Sequence, residues 1–291
     1  MYYLIKKLLS FDFFYSLKAR KKFKKLKINQ IKKINIIMNG PGNKFNFKEL
    51  ISLKKNSLMV CNHFADTELY VKLKPENYIL LDKYFFDNSK KYRHEYKKKT
   101  QITFKNLLSK TNWHLNLFVP YWGDAQIMKV FKNNKYINIV PYNNNYLYSS
   151  KYNINKPLPK NILFFLWKHN IFSPPLTNVC QAALYICNLL GFKEIKIYGL
   201  DLNNQIMIKN IKNKLFRTNN YFYSETSKDL IYENKHSYKK QKLYKELYRI
   251  AYNFEMFDLL YQFLKLNNTN VINYNSKSLL DSFPKSEKKL I

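Results

Sequence analysis

From residue 34 onward, short apolar runs alternate with stretches of helical periodicity. The runs Ile34–Met38, Ser57–Cys61, Tyr78–Leu81, Leu115–Val119, Tyr136–Val140, Ile195–Tyr198 and Asn270–Asn273 read as strands, and their alternation with helices predicts a mostly parallel sheet. Two helices stand out. Asn178 is placed to cap the first, whose Val179, Ala182, Ala183, Ile186 and Leu190 share one face and which Gly191 ends. The second carries Leu243, Leu247, Ile250, Phe254, Phe257, Tyr261 and Leu264 at alternating steps of four and three. The pattern predicts an α/β fold with a Rossmann-like, mostly parallel sheet over residues 34–202 and 237–285. Residues 203–236 have no clean period, are rich in Asn, Lys and Tyr, and read as an inserted, partly mobile lid.

Residues 1–33 stand apart. Leu4, Leu8, Phe11 and Tyr15 recur at helical spacing with Ile5 and Leu9 alongside, and a basic run from Lys18 to Lys27 follows. This is either an interfacial anchor on an anionic leaflet or an ordinary helix packed on the core with a solvated basic tail. No run of 18 apolar residues occurs, so no membrane-crossing helix is expected. Lys6, Lys7 and Asp12 interrupt the first apolar stretch and no small-residue cleavage site follows, so a cleaved signal is not expected either.

Charge changes this picture less than its size suggests. With 51 Lys and Arg against 19 Asp and Glu, the chain carries a formal +32, which points to a polyanionic partner. Lysine far outnumbers arginine, however, and Lys, Asn, Ile, Tyr and Phe are enriched together, as an AT-rich coding sequence produces; no zinc-finger or aromatic RNA-binding signature accompanies the charge. A specific nucleic-acid partner is therefore not expected, although a basic nucleic-acid-binding module stays open as an alternative. Cys61, Cys180 and Cys187 lack metal-site spacing, and the last two lie two turns apart on one apolar helix face, which suits packing in a reducing cytoplasm.

Candidate chemistry gathers at the strand ends. Asn39-Gly40-Pro41-Gly42-Asn43 follows the first strand, Asn62-His63-Phe64 the second, Asp82 the third, Pro120-Tyr121-Trp122 the fourth, Tyr142-Asn143 the fifth and Gly199-Leu200-Asp201 the sixth. In an open parallel sheet these carboxyl ends border one crevice, where ligands bind. The first loop is either a backbone cradle for phosphate or a plain strand-exit turn; it matches neither a Walker A nor a GxGxxG sequence. Asn62 is a base or ribose contact or a turn residue, and Asp201 a ribose contact or a helix cap. His236, among Glu233, Asn234, Lys235 and Ser237, has a neighbourhood that suits a cleft rim, and a neutral imidazole accepts a proton at physiological pH. His63 is the second candidate base. His94, His114 and His169 have no spacing that suggests a metal site.

Three of these patches, in order, carry a resemblance: Asn39-Gly40-Pro41, Cys61-Asn62-x-Phe64, and the helix opening at Thr177 and running to Gly191-Phe192-Lys193-Glu194-Ile195 with Gly199 and Asp201 beyond it. With the closing segment Val271 to Leu280, they resemble the bacterial Campylobacter-type sialyltransferases of glycosyltransferase family forty-two, over residues 34 to 285. The resemblance implies a GT-A-like variant of the Rossmann-like fold and an inverting, metal-independent, cofactor-free transfer of a nonulosonic acid from a CMP-sugar donor to a surface-glycan or glycolipid acceptor. It implies donor contacts at Asn39, Gly40, Pro41, Gly42, Asn43, Asn62, Thr177, Asn178, Gly199 and Asp201, phosphate-binding lid tyrosines among Tyr221, Tyr223 and Tyr232, and His236 as the base. An enzyme acting on a membrane-linked acceptor would sit on the inner face of the bacterial membrane through residues 1–33. The chain departs from the family pattern at Pro174-Pro175, where the family has an Arg, and at Asn178-Val179, where it has Ser-Gly. The rival enzyme class, resembling the hydroxymethylpterin diphosphokinase-like and motility-associated proteins with their similar Rossmann-like core, would transfer pyrophosphate with Mg²⁺ on clustered carboxylates, and with 19 acidic residues scattered among 51 basic ones no such cluster is apparent.

Overall fold

The computed structural model describes residues 10–24, 26, 32–40, 49, 52–53, 56–87, 94–147, 158–203, 208–211, 214–221, 224–230 and 242–286, the side chains of Phe11, Asp12 and the inserted segment 208–230 excepted. All seven expected strands form, as β1 (Lys33–Ile37), β2 (Ser57–Cys61), β3 (Asn77–Ile79), β4 (Leu115–Pro120), β5 (Ile137–Tyr142), β6 (Glu194–Tyr198) and β10 (Asn270–Asn273). They make one sheet in the order β10-β6-β1-β2-β3-β4-β5, and every pairing is parallel. The fold is α/β and Rossmann-like, as the alternation of runs predicts.

The sheet is covered on both faces, so its inner strands are apolar at nearly every position. Ile34, Ile36, Met59, Cys61, Val140 and Ile195 point into one core, packed under α1 (Phe11–Lys24), α5 (Lys160–Lys168), α6 (Val179–Leu189) and α7 (Leu243–Leu266). Ile37, Leu58, Val60, Leu117 and Ile139 point the other way, into a core closed by the 3-10 turn Asn62–Asp66 and by α2 (Glu68–Leu73), α3 (His94–Lys110) and α4 (Asp124–Phe131). Pro141 sits inside β5 because β5 is an edge strand, where a missing backbone N–H costs no ladder bond.

Two helices bury faces offset from their expected stripes. In α1 the buried line is Ser16, Ala19 and Phe23, while Tyr15 is exposed and Phe13 packs on Phe172. In α7 the first turns bury Glu246, Ile250 and Asn253 and leave Leu247 outside, because Asn253 bonds to Gln181 of α6 and draws that side inward. The α6 reading holds: Asn178 accepts from the Cys180 amide, Gln181 completes a capping box, and Gly191 follows the helix at φ +86°.

Between β6 and α7 the aperiodic segment holds a separate antiparallel sheet of β7 (Ile208–Ile211), β8 (Lys214–Tyr221) and β9 (Ser224–Leu230), with an irregularity near Tyr221. Residues 1–9 of the expected anchor lie outside the described residues. Among the described residues no helix is long and apolar enough to cross a membrane.

Candidate functional site

The sheet order reverses between β1 and β6: β1 through β5 progress to one side, and β6 and β10 lie on the other. Loops leaving neighbouring strands at such a point diverge to opposite faces and leave a crevice. Here the loops after β1 and β6 first run together. Met38 N–H donates to the Tyr198 carbonyl at 2.8 Å and Gly40 N–H to the Gly199 carbonyl at 3.0 Å. A Cβ on Gly40 would collide with the Gly199 carbonyl oxygen and the Asp201 carboxylate, so close approach requires this glycine. Gly199 supplies the turn itself, at φ +69°.

Asp201 is braced from the closing segment. Its carboxylate accepts from Asn275 Nδ2, and its backbone carbonyl accepts from Ser278 Oγ at 3.1 Å and from the Leu279 amide at 3.3 Å. Asn275 and Ser278 are site-supporting residues that strand-end reasoning missed, although they lie in a segment the resemblance singled out.

Three asparagines mark the carboxyl ends of β1, β2 and β10, and each is oriented in the same way. Asn39 Nδ2 donates to the Cys61 carbonyl at 3.1 Å, Asn273 Nδ2 to the Leu200 carbonyl at 3.3 Å, and Asn62 Nδ2 to Asp82 Oδ2 at 2.9 Å. An acceptor fixes each amide's NH₂ side, so the side-chain carbonyl faces the other way. All three Oδ1 atoms are buried and have no hydrogen-bond partner among the described residues. Leaving a buried acceptor unmet costs about 1–3 kcal/mol.

Asn62 stands at φ +48°, a left-handed conformation that asparagine tolerates better than most residues. Its backbone carbonyl accepts from Tyr78 Oη, which in turn accepts from the Ala65 amide at 3.0 Å. Burial and, secondarily, the Asp82 charge push the Cys61 thiol up, as they do the Tyr142 hydroxyl. The Asp82 charge is therefore felt at Cys61, which ends β2, and at Tyr142, which ends β5.

His63 occupies a different environment. Its ring is buried against Tyr84 and Phe85, with Nδ1 2.7 Å from Thr103 Oγ1 and Nε2 3.1 Å from Tyr84 Oη. Both nitrogens are engaged, so His63 reaches the crevice only through Tyr84.

Thr177 and Asn178 begin α6, the helix that precedes β6 and so starts at the carboxyl edge; the Cys180 thiol feels the Cys61 thiol there. Both residues bond locally. Gln181 Oε1 accepts from the backbone amides of Thr177 and Asn178, the Thr177 hydroxyl lies 2.9 Å from Asn253 Oδ1, and Gln181 Nε2 donates to the Asn253 carbonyl at 3.0 Å.

The structure thus brings Asn39, Gly40, Asn62, Gly199 and Asp201 to one edge, with Thr177 and Asn178 at the same edge on α6. Pro41, Gly42, Asn43, Tyr223, Tyr232 and His236 lie outside the described residues; Tyr221 ends β8, its side chain likewise outside them. Among the described residues no group of three or more His, Cys, Asp or Glu could hold a metal ion. The chain matches no protein-family model and no curated protein.

Proposed function

We propose that the chain is an inverting glycosyltransferase that moves a nonulosonic acid from a CMP-sugar to a surface-glycan or glycolipid acceptor without a metal. The observation that carries this reading is the carboxyl edge of the sheet, where the strand order reverses and where the buried side-chain carbonyls of Asn39, Asn62 and Asn273 have no hydrogen-bond partner among the described residues. Oriented acceptors call for a ligand rich in N–H and O–H groups, as a nucleoside is. The resemblance to family forty-two supports the rest. In this reading His236 takes the proton of an acceptor hydroxyl as its oxygen attacks the anomeric carbon. The bond from that carbon to the phosphate oxygen breaks, and CMP departs with the bonding pair. Hydroxyls among Tyr221, Tyr223 and Tyr232 stabilise the charge growing on the phosphate.

Thermal stabilisation by CMP, UDP, GDP and ATP, each with and without Mg²⁺ or Mn²⁺, tests the donor class. CMP alone is expected to stabilise, by about 2.7 kcal/mol at a hundredfold excess over its Kd. Stabilisation only by UDP or GDP with Mn²⁺ would overturn the assignment. His236→Ala is expected to lose roughly 10²–10⁴-fold in turnover while binding CMP as before.

The same reading places the enzyme at an anionic membrane surface through residues 1–33. In support, α1 turns Phe14 and Tyr15 outward, 58% and 54% exposed, beside exposed Lys18, Lys21 and Lys22. Sedimentation with phosphatidylglycerol vesicles should decline with salt and on Phe14→Ser/Tyr15→Ser substitution; unchanged binding would place the contact elsewhere.

A further inference from the structure

The polar side chains around Asn62 form one continuous chain from the crevice into the core. Asn62 Nδ2 and Tyr84 Oη both donate to Asp82 Oδ2, at 2.9 and 3.2 Å. Tyr84 Oη lies 3.1 Å from His63 Nε2, His63 Nδ1 lies 2.7 Å from Thr103 Oγ1, and Thr103 lies 3.0 Å from Asp66 Oδ2. Asn106 holds the far oxygen of Asp66 at 3.1 Å.

The directions of the bonds from Asn62 as far as His63 Nε2 are determined. One Asp82 oxygen accepts two donors, so it carries no proton. Tyr84 spends its only proton on Asp82, so its oxygen accepts, and His63 must donate from Nε2. At Nδ1 the Thr103 proton either points to a neutral imidazole, or Nδ1 carries a proton and Thr103 donates to Asp66 or to the Lys99 carbonyl, 3.1 Å away. Either way Nε2–H faces Tyr84, and the polarity delivered to Asp82 is the same. An ionised Asp82 can pair only with the NH₂ side of Asn62. The Asn62 carbonyl, buried and without a hydrogen-bond partner among the described residues, is therefore the side left for a ligand.

We infer that Asp82, set by Tyr84 and His63, is a positioning residue that fixes the Asn62 amide as an acceptor and makes the site selective for a nucleotide presenting a hydrogen-bond donor there. This rests on the nucleotide-donor reading above and adds the origin of its selectivity. Two groups of a cytidine nucleotide qualify, the exocyclic amine of the base and a ribose hydroxyl. Uracil replaces the amine with a carbonyl oxygen, which would face the Asn62 carbonyl acceptor to acceptor. A deoxyribose simply lacks the hydroxyl.

Calorimetric affinities of the full chain for CMP, UMP, 2′-deoxyCMP and 3′-deoxyCMP test the inference. The wild type is expected to reject at least one analogue by roughly 5- to 100-fold relative to CMP, the range of one unmade buried hydrogen bond. UMP identifies the amine and a deoxy analogue the hydroxyl. Asp82→Ala and Asn62→Ala should each collapse that ratio toward one, and the double variant should show no further collapse, because Asp82 acts through Asn62. A merely structural Asp82 would weaken all four ligands alike and leave the ratios intact, which would overturn the proposal. So would a wild type that binds CMP without rejecting any analogue, or ratios that change additively in the double variant. Failure to bind any of the four would count instead against the nucleotide-donor reading. Tyr84→Phe keeps the ring packing and one donor to Asp82 but leaves the His63 Nε2–H unmet; a partial fall in the ratio with a lowered melting temperature is expected, and no fall in the ratio would remove Tyr84 from the relay.

Discussion

Two polar clusters lie at the carboxyl edge of the same sheet, and they differ in what they leave unmet. At the start of α6, Thr177, Asn178, Gln181 and Asn253 use their groups on one another and on the helix's first amides. At the ends of β1, β2 and β10, Asn39, Asn62 and Asn273 each satisfy their donors and leave a buried carbonyl oxygen over. Residue type does not separate the clusters, since both are built from amides. The leftover valence does: the first cluster is spent on the fold, whereas at the three strand ends a buried acceptor is left over, as it also is at Asn35 inside β1, and only at the carboxyl edge does that remainder lie where a ligand binds. Of the two residues that the resemblance counts among donor contacts, Thr177 bonds to Asn253 of α7 and Asn178 caps α6.

The sharpest way to break the comparison is at Gly40, where the two strand-end loops touch. Gly40→Ala places a methyl group against the Gly199 carbonyl, which accepts from the Gly40 amide itself, and the Asp201 carboxylate, which Asn275 holds. A loss of about 1–3 kcal/mol in urea unfolding is expected, with loss of stabilisation by CMP. Retention of both would mean that the contact relaxes freely and that the crevice does not depend on it.

At the other cluster a smaller effect of a different kind is expected. Asn178→Ala removes the cap to the Cys180 amide and half of the capping box, worth about 1 kcal/mol. Nucleotide preference should not move, because the cluster is spent on the helix. A changed preference with full stability would instead make Asn178 a direct ligand contact and dissolve the distinction.

Much of this edge was legible from sequence. Strand ends can be placed by the apolar runs, and in a parallel sheet every such end faces the same crevice, so Asn39, Gly40, Asn62, Asp82, Gly199 and Asp201 could be gathered without any contact being known. Their partners could not. Asn275 is 74 residues from Asp201 and Thr103 is 40 from His63, and nothing local marks either as a partner. His63 shows the cost: beside a strand-end asparagine it reads as a candidate base, yet its ring is enclosed by aromatic side chains that only the tertiary fold assembles. The strands of 208–230 were missed for another reason. Ser224–Leu230 is almost wholly polar and has no apolar alternation to betray a strand, so its antiparallel pairing is visible only in the backbone.

The smallest expected effect probes the buried end of the relay, where Asp66 meets Thr103 and Asn106. Burial raises the Asp66 carboxyl above its usual 3.8, opposed by the hydrogen bonds from Asn106 and Thr103 and by the charges of Lys99 and Lys110. The folded protein therefore holds this proton more tightly than the unfolded chain. The sign follows from linkage: the group's contribution to stability is fully present below the unfolded value and is lost as pH rises through the raised folded value. The Asp66→Asn variant carries an amide that does not titrate, so the difference between the two proteins isolates this group from the other carboxylates. Urea midpoints measured from pH 3.5 upward should show the variant gaining on the wild type as pH rises, with the curves parallel once Asp66 is ionised. A difference that is flat throughout, or that moves the other way, would mean that the hydrogen bonds and lysines outweigh burial. In that case the fold favours the ionised Asp66, with Thr103 donating to it and His63 carrying a proton at Nδ1. The crevice end should be insensitive to which arrangement holds, since His63 donates from Nε2 in both. CMP affinity in Asp66→Asn is therefore expected within about twofold of wild type, well under the effect of an unmade buried hydrogen bond. A large change would show that the relay transmits protonation to Asp82 as well as orientation.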